Sequence, residues 1–312
     1  MRKLLAIFIL IATLVGCNKQ QEVLDVIVDG PVPTPISVAI DDTRAAGVDS
    51  AKSVFENGIL GRDNVTMRYI LQVYIDNEPA IRCVQYGDTK SMEFSPLLVP
   101  NRNYKFVVWA DVVTNGAQDI DNHYNTTNLE KITLLGDWNA MDESRDAFTG
   151  FAEEDNFACD SPVTISLTRP FAKLRIVATD KANATTLPVK GKVTYTTSHR
   201  VAFNAVDGKA AEASVNKEHT YSIDTYSDDT NSISDLTLFS DYFLAENDII
   251  SLKFTIYADE AMNTQIGKEY TINNIVVKRN SLTTIKGEIL TGGGVRISVD
   301  DYVLADPVVP MD

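Results

Sequence analysis

Residues 65–75 read Val-Thr-Met-Arg-Tyr-Ile-Leu-Gln-Val-Tyr-Ile. Val65, Met67, Tyr69, Leu71, Val73 and Ile75 are apolar at every second position, set against Thr66, Arg68 and Gln72, the alternation that sets one face of a β-strand against a core. The run ends in Asp76-Asn77-Glu78-Pro79, a turn-rich tetrad, and Ala80 to Tyr86 then returns as a hairpin partner. This hairpin decides the fold class, because the same punctuation repeats on both sides of it.

Downstream, strands are expected at Lys90–Leu98 and at Tyr104–Ala110, the latter entered through Pro100-Asn101. Residues 112–160 are long, polar and acidic, with short apolar clusters such as Leu129, Ile132 and Leu134. Strand character resumes at Val163–Leu167 and Ala172–Ala178, interrupted by Arg169-Pro170. Thr179 to Pro188 is small and polar and reads as a domain boundary. Further strands are expected at Gly191–Thr197, Val201–Val206, Tyr221–Thr225, Leu236–Leu244, Ile249–Ala258, Glu269–Lys278 and Ser281–Leu290. Gly292-Gly293-Gly294 forms a flexible joint before a last alternating strand, Val295–Asp300. Turn signals recur every ten or so residues and no long helical period occurs, which argues for an all-β chain of two sandwiches. The expected division is 1–16, 17–44, 45–182 and 183–312.

Upstream of the hairpin the chain changes character. Met1-Arg2-Lys3 is a positive start, Leu4 to Leu14 a short apolar run, and Leu14-Val15-Gly16-Cys17 matches the bacterial lipobox. Residues 1–16 then read as a signal peptide, and Cys17 as the acylated residue that anchors the chain to a membrane. An ordinary signal peptide with an incidental cysteine is the alternative. A polar tether and the proline-broken stretch Gly30–Pro35 follow. Next comes Ile36-Ser37-Val38-Ala39-Ile40-Asp41-Asp42-Thr43-Arg44-Ala45-Ala46-Gly47, a half-buried strand running into a basic residue in a soft, exposed loop. It suits either a first strand with its turn or a segment built to be cut off, since small residues around Arg44 favour protease access.

The 312 residues carry 28 Lys and Arg against 43 Asp and Glu, a formal charge of −15 that repels phosphate backbones, so nucleic acid is not an expected partner. Chemistry is scarce. His123, His199 and His219 share no metal-binding spacing and read as three surface histidines. No nucleophile elbow or phosphate-binding loop occurs, so no catalytic residue, no enzyme activity and no cofactor are expected. Acidic clusters at Asp119–Asn122, Asp137–Asp146 and Glu153–Asp155 could hold calcium, but a solvated acidic face accounts for the same residues, and no metal is assigned. Cys83 and Cys159 read as two free thiols rather than a disulfide. Trp109 reads as core, and Trp138 as the better candidate for a contact residue.

Three stretches together resemble the fimbrillin-type (type V pilin) lipoproteins: Leu98–Asp111, Leu167–Ile176 and Arg279–Thr291. The second resembles the strand that closes their N-terminal domain. The resemblance implies two tandem transthyretin-like β-sandwiches with Greek-key-type antiparallel sheets, lipid anchoring in the outer membrane, and assembly into cell-surface fimbriae that support adhesion. It also implies assembly by strand exchange, in which a trypsin-like protease cuts after an arginine, the first strand leaves, and a strand of the next subunit fills the slot. By position Arg44 and Ala45 match the cleavage site, Ile36, Val38 and Ile40 the leaving strand, and Val295, Ile297 and Val299 the donor. The implied partners are other fimbrial subunits, the outer membrane, and a host or bacterial surface ligand. The alternative is a surface lipoprotein that binds glycans or host ligands and never polymerises.

Overall fold

The computed structural model describes residues 30–41, 54–55, 59–60, 64–136, 139–214, 217–223, 235–293 and 295–300. Cys17, Arg44, Ala45 and Trp138 lie outside the described residues.

The first half contributes β1 (Val32–Pro33), β2 (Ile36–Ile40), β3 (Val65–Ile75), β4 (Glu78–Tyr86), β5 (Ser91–Phe94), β6 (Leu97–Leu98) and β7 (Arg102–Thr114). It continues with β8 (Tyr124–Asn125), β9 (Ile132–Leu134), β10 (Ala147–Phe157) and β11 (Val163–Leu167). The expected hairpin at Asp76–Pro79 forms, with Asp76 and Asn77 at φ 51° and 72°, the left-handed region that Asn and Asp tolerate. One sheet runs β10-β7-β3-β4 and its opposite layer runs β11-β2-β5, with the short β1–β6 pair beside it. Alternating residues of both layers, among them Met67, Leu71, Phe106, Phe148, Ile165 and Leu167, fill the first core.

The second half contributes β12 (Phe171–Ala178), β13 (Lys190–Tyr195), β14 (His199–Asn204), β15 (Lys209–Ser214) and β16 (Glu218–Ser222). It ends with β17 (Leu236–Leu244), β18 (Asn247–Tyr257), β19 (Gln265–Lys278), β20 (Leu282–Gly287) and β21 (Val295–Asp300). Here β21-β20-β12-β17-β14-β9-β8, with β15 on β14, faces β16-β13-β18-β19 across a second core. The chain is therefore all-β, two sandwiches in tandem. The pairing is mostly antiparallel, with parallel exceptions at β2–β11 and β12–β20.

The boundary expected at residue 182 is corrected. β12 hydrogen-bonds to β17 and β20, so the second sandwich begins at Phe171, and the polar stretch 179–188 lies inside that sandwich. Leu167–Ile176 accordingly spans the junction: Leu167 closes the first domain and Phe171 onward opens the second. Residues 112–160 are not a plain acidic connection either. They supply β10, and they send β9 across to pair with β14 of the second sheet, with β8 added beyond it. A third apolar core forms at this crossing, where Trp109, fully buried, packs edge-on against Tyr124 at 5.3 Å and against Phe203.

A 3₁₀ turn at Glu143–Arg145, capped by the Asp142 side chain on the Ser144 amide, clasps the two sandwiches. Arg145 is buried and donates from Nη1 to Asp241 at 2.5 Å and from Nη2 to the Tyr242 carbonyl at 3.0 Å. Glu143 accepts from Lys173 Nζ and from the Tyr242 hydroxyl. Burial opposes ionisation of Glu143, yet Lys173 and these hydrogen bonds hold its carboxyl below the usual range. Asp146 takes both arms of Arg169 and the Val54 amide. The acids offered to calcium between Asp142 and Asp146 are thus spent on arginine, lysine and backbone groups.

His199 and His219 are corrected from surface to interior, at 5% and 4% exposure. They flank Tyr195, with ring centroids at 5.3 and 5.8 Å, and Tyr195 donates to Asp241 at 2.8 Å. They lie on opposed layers, His199 on β14 and His219 on β16, so pairing in space hides what their spacing in sequence suggested. Burial lowers the His199 pKa, with the neighbouring His219, Arg145 and Lys217 acting in the same direction and Asp241 opposing.

Removing Arg145 leaves the Asp241 carboxylate buried with its main cation gone. Arg145→Ala is expected to cost about 3–5 kcal/mol, read as a lower urea midpoint, and Arg145→Met with Asp241→Leu should recover most of it. For His199 the folded pKa lies below the unfolded value, so the unfolded chain binds the proton first. Stability should be full above pH ~6.5 and fall as the pH drops below it. Urea titrations at stepped pH check this, with His199→Phe expected to flatten the slope in that window.

Candidate functional site

The first core is closed by its own first strand. β2 lies between two neighbours: parallel to β11, with Ile36, Val38 and Ile40 opposite Val163, Ile165 and Leu167, and antiparallel to β5, with Ile36 opposite Phe94 and Val38 opposite Met92. Flanking backbone bonds extend the grip, from Thr34 N–H to Pro96 O at 3.0 Å, Val163 N–H to Pro35 O at 3.0 Å, Ile40 N–H to Lys90 O at 2.8 Å and Asp41 N–H to Leu167 O at 2.9 Å. β1 prolongs the segment along β6, Val32 opposite Leu98.

The alternation read from the sequence is the alternation observed. Ile36, Val38 and Ile40 are 0%, 1% and 7% exposed and belong to the first core, while Ser37 and Ala39 point outward. Each of the three contributes about 1.5–3 kcal/mol by leaving water. Taken out, this strand would uncover a slot with an apolar floor and two rows of unpaired N–H and C=O groups.

Cys159 sits beside this slot. It is buried in the same core, and its thiol is raised by burial, with a hydrogen bond to the Thr34 side chain opposing. Cys83, on β4, is the other described cysteine, and both are free. Past Arg44, the chain is docked again at Val54, fully buried, and at Phe55, whose ring lies 6.2 Å from that of Phe148. A cut after Arg44 would therefore fall between two anchored segments.

The other sequence-chosen positions are placed differently. β21 is the end strand of the second sheet, antiparallel to β20, with Val295 opposite Gly287, Ile297 opposite Ile285 and Val299 opposite Thr283. Among the described residues it is bonded along one edge, and it belongs to a different sheet from β2. Val295 packs against the second core, and the side chains of Ile297 and Val299 lie outside the described residues. Among the described residues no group of three or more His, Cys, Asp or Glu is placed to hold a metal ion, and no helix is long and apolar enough to cross a membrane.

Two β-sandwiches, the first closed by an inserted N-terminal strand, define the class of this protein as a tandem β-sandwich protein. The chain belongs to the family of unknown function DUF6562, whose model matches residues 23–306. No curated protein matches it. Similar solved structures include a proposed polysaccharide-binding protein (DUF1812) from Bacteroides thetaiotaomicron, 14% identical over 86% of this chain and 96% of that one, with a TM-score of 0.48. A proposed cell adhesion protein from Bacteroides ovatus is 15% identical over 88% of this chain and 99% of its own, at 0.48. A fimbrial assembly protein from Parabacteroides distasonis is 11% identical over 86% and 99%, at 0.45.

If β2 covers the slot, Cys159 reports its departure. In a chain starting at residue 18 and carrying Cys83→Ser, maleimide should label Cys159 slowly. Removal of residues 18–44 should raise that rate toward the rate in urea; an unchanged rate would mean that the slot stays closed without its strand.

Proposed function

We propose that this protein is a subunit or accessory component of cell-surface fimbriae, exported as a lipoprotein through Cys17 and assembled by proteolysis-dependent strand exchange, and that it serves adhesion rather than catalysis. The observation that carries the reading is the placement of β2. It is the strand that lies between β5 and β11, its apolar face completes the first core, and Arg44 follows it by four residues.

The physical sequence follows from that arrangement. A trypsin-like protease cuts the Arg44–Ala45 bond. The freed segment no longer has its covalent link to the domain, so its contacts hold it only as a bound peptide. A strand of another subunit competes for the same slot and gains the same ladder bonds and the same apolar floor. The donor assigned is Val295–Val299 of the neighbouring copy, which is bonded along one edge in its own sheet and would be bonded along two in the slot. Lipid on Cys17 would keep the uncut subunit at the outer membrane until cleavage separates anchor from fold.

Trypsin treatment of the 18–312 chain tests the scheme. Cleavage after Arg44 should convert a monomer into a ladder of oligomers on size-exclusion chromatography, and Arg44→Ala should abolish it. A clipped product that stays monomeric, or an Arg44 bond that resists the protease, would remove the basis of the proposal.

A further inference from the structure

A second site lies on the outer face of the first sheet, away from the slot. Strand β4 turns Arg82, Val84 and Tyr86 outward at successive alternate positions, and Val84 and Tyr86 remain 40% and 38% exposed. Across the ladder they stand beside Gln72, Ile70 and Arg68 of β3. The chain on either side of β8 rises beside them and bounds a hollow of about 200 Å³, with Asp119 and Asp121 before β8 and Thr126 and Thr127 after it along the far wall. Ile120, next to Asp119, adds a further exposed apolar side chain at 64%.

The charges in this hollow select among ligands. Arg68 is consumed: its guanidinium donates to Asp111 at 2.9 and 2.8 Å and to Asp121 at 2.7 Å. Asp121 also accepts from the Thr126 amide and hydroxyl, which pins the wall. The groups left facing the hollow are the Arg82 guanidinium, which spends one N–H on the Thr126 carbonyl at 2.9 Å, the Asp119 carboxylate, which accepts from the Tyr86 hydroxyl at 3.0 Å, and the Thr127 hydroxyl. Two aspartates and two arginines line the hollow, and buried Asp111 behind Arg68 adds a third carboxylate, so there is no excess positive charge to hold an anion. A carboxylate and a guanidinium facing one hollow, with an exposed aromatic ring and an aliphatic side chain between them, match a ligand that offers vicinal hydroxyls and a C–H face. The volume is below the roughly 300–1,000 Å³ of drug-sized sites and admits one ring at a time.

We infer that the hollow bounded by Arg82, Val84, Tyr86 and Asp119 binds a single neutral pyranose unit, free or at the end of a glycan. Asp119 accepts from a pair of hydroxyls, Arg82 donates to another, and Tyr86 packs on the C–H face of the sugar. The site is formed by β3, β4 and the chain on either side of β8, none of which takes part in the proposed strand exchange, so it stands or falls independently of the assembly scheme.

Saturation-transfer difference NMR on the 18–312 chain carrying Arg44→Ala, which stays uncut, tests it with methyl glucoside, methyl galactoside, methyl mannoside and, as the anionic comparator, N-acetylneuraminic acid. At least one neutral pyranoside should receive magnetisation at millimolar concentration. Asp119→Asn and Tyr86→Ala should each weaken it about tenfold, the effect of losing one charge-assisted hydrogen bond or an aromatic contact. Val84→Trp, which fills the hollow from an exposed position, should abolish transfer with the thermal midpoint unchanged, and keeps the test readable if Asp119→Asn disturbs the wall. Transfer to none of the neutral sugars, transfer to the anionic sugar alone, or transfer undiminished in Val84→Trp would overturn the assignment.

Discussion

Neighbouring strands in a sheet lie about 4.8 Å apart, so β5 and β11, separated by one strand position, cannot bond each other directly. Their facing N–H and C=O groups need a strand between them, and the apolar side chains beneath need a lid. That single vacancy in an otherwise complete sandwich is the constraint from which the rest follows. β2 fills it from the N-terminal side of the chain, which makes the closing element the one most easily separated by a single cut. β3, β7, β10 and β11, which also line this core, are each linked to described strands on both sides, so none of them could leave by a single cut.

The second constraint is the joint. Two sandwiches in tandem need not touch extensively, and domains linked by a few residues are expected to move. Here β8 and β9 cross from the first half into the second sheet, and Trp109, Tyr124 and Phe203 bury a shared core at the crossing. The Asp142–Asp146 turn then fixes the register with buried ion pairs to Asp241, Lys173 and Arg169. Such pairs gain little over well-packed apolar residues, but each demands one partner in one orientation. Their effect is specificity of docking between the two sandwiches.

Much of the fold was legible in period-2 alternation. β2, β3, β4, β7, β11, β17 and β18 all stand where alternating apolar residues put them, because a sheet with one buried face imprints that pattern directly. β10 was missed for a physical reason. Its outward positions Phe151, Glu153 and Asp155 carry two acids, and Gly150 and Glu154 lie on the inward row where the core side should read apolar. Gly150 is small because β10 crosses the Ser166 carbonyl too closely for a Cβ, a contact that exists only between two finished sheets. The boundary at 182 failed similarly: the polar stretch after β12 looks like a linker, whereas strand pairing over about a hundred residues assigns β12 to the second sheet. His199 and His219 read as surface residues since nothing nearby in sequence marks them, and the sugar-sized hollow needed Arg82 and Asp119, far apart in the chain, to face each other.

By itself, then, the sequence determined the local facts: an all-β chain, the in-and-out order of each long strand, and the apolar face of Ile36, Val38 and Ile40. Those depend on neighbours two residues apart, where the backbone geometry is the same in any sheet. Only the tertiary structure decided that β2 sits between two strands instead of at an edge, that β21 sits at an edge, that the acidic turn is a clasp, and that two histidines are interior. Each of these is a pairing between distant segments, and the energy that selects it comes from desolvation and hydrogen bonding at contacts the linear order does not contain.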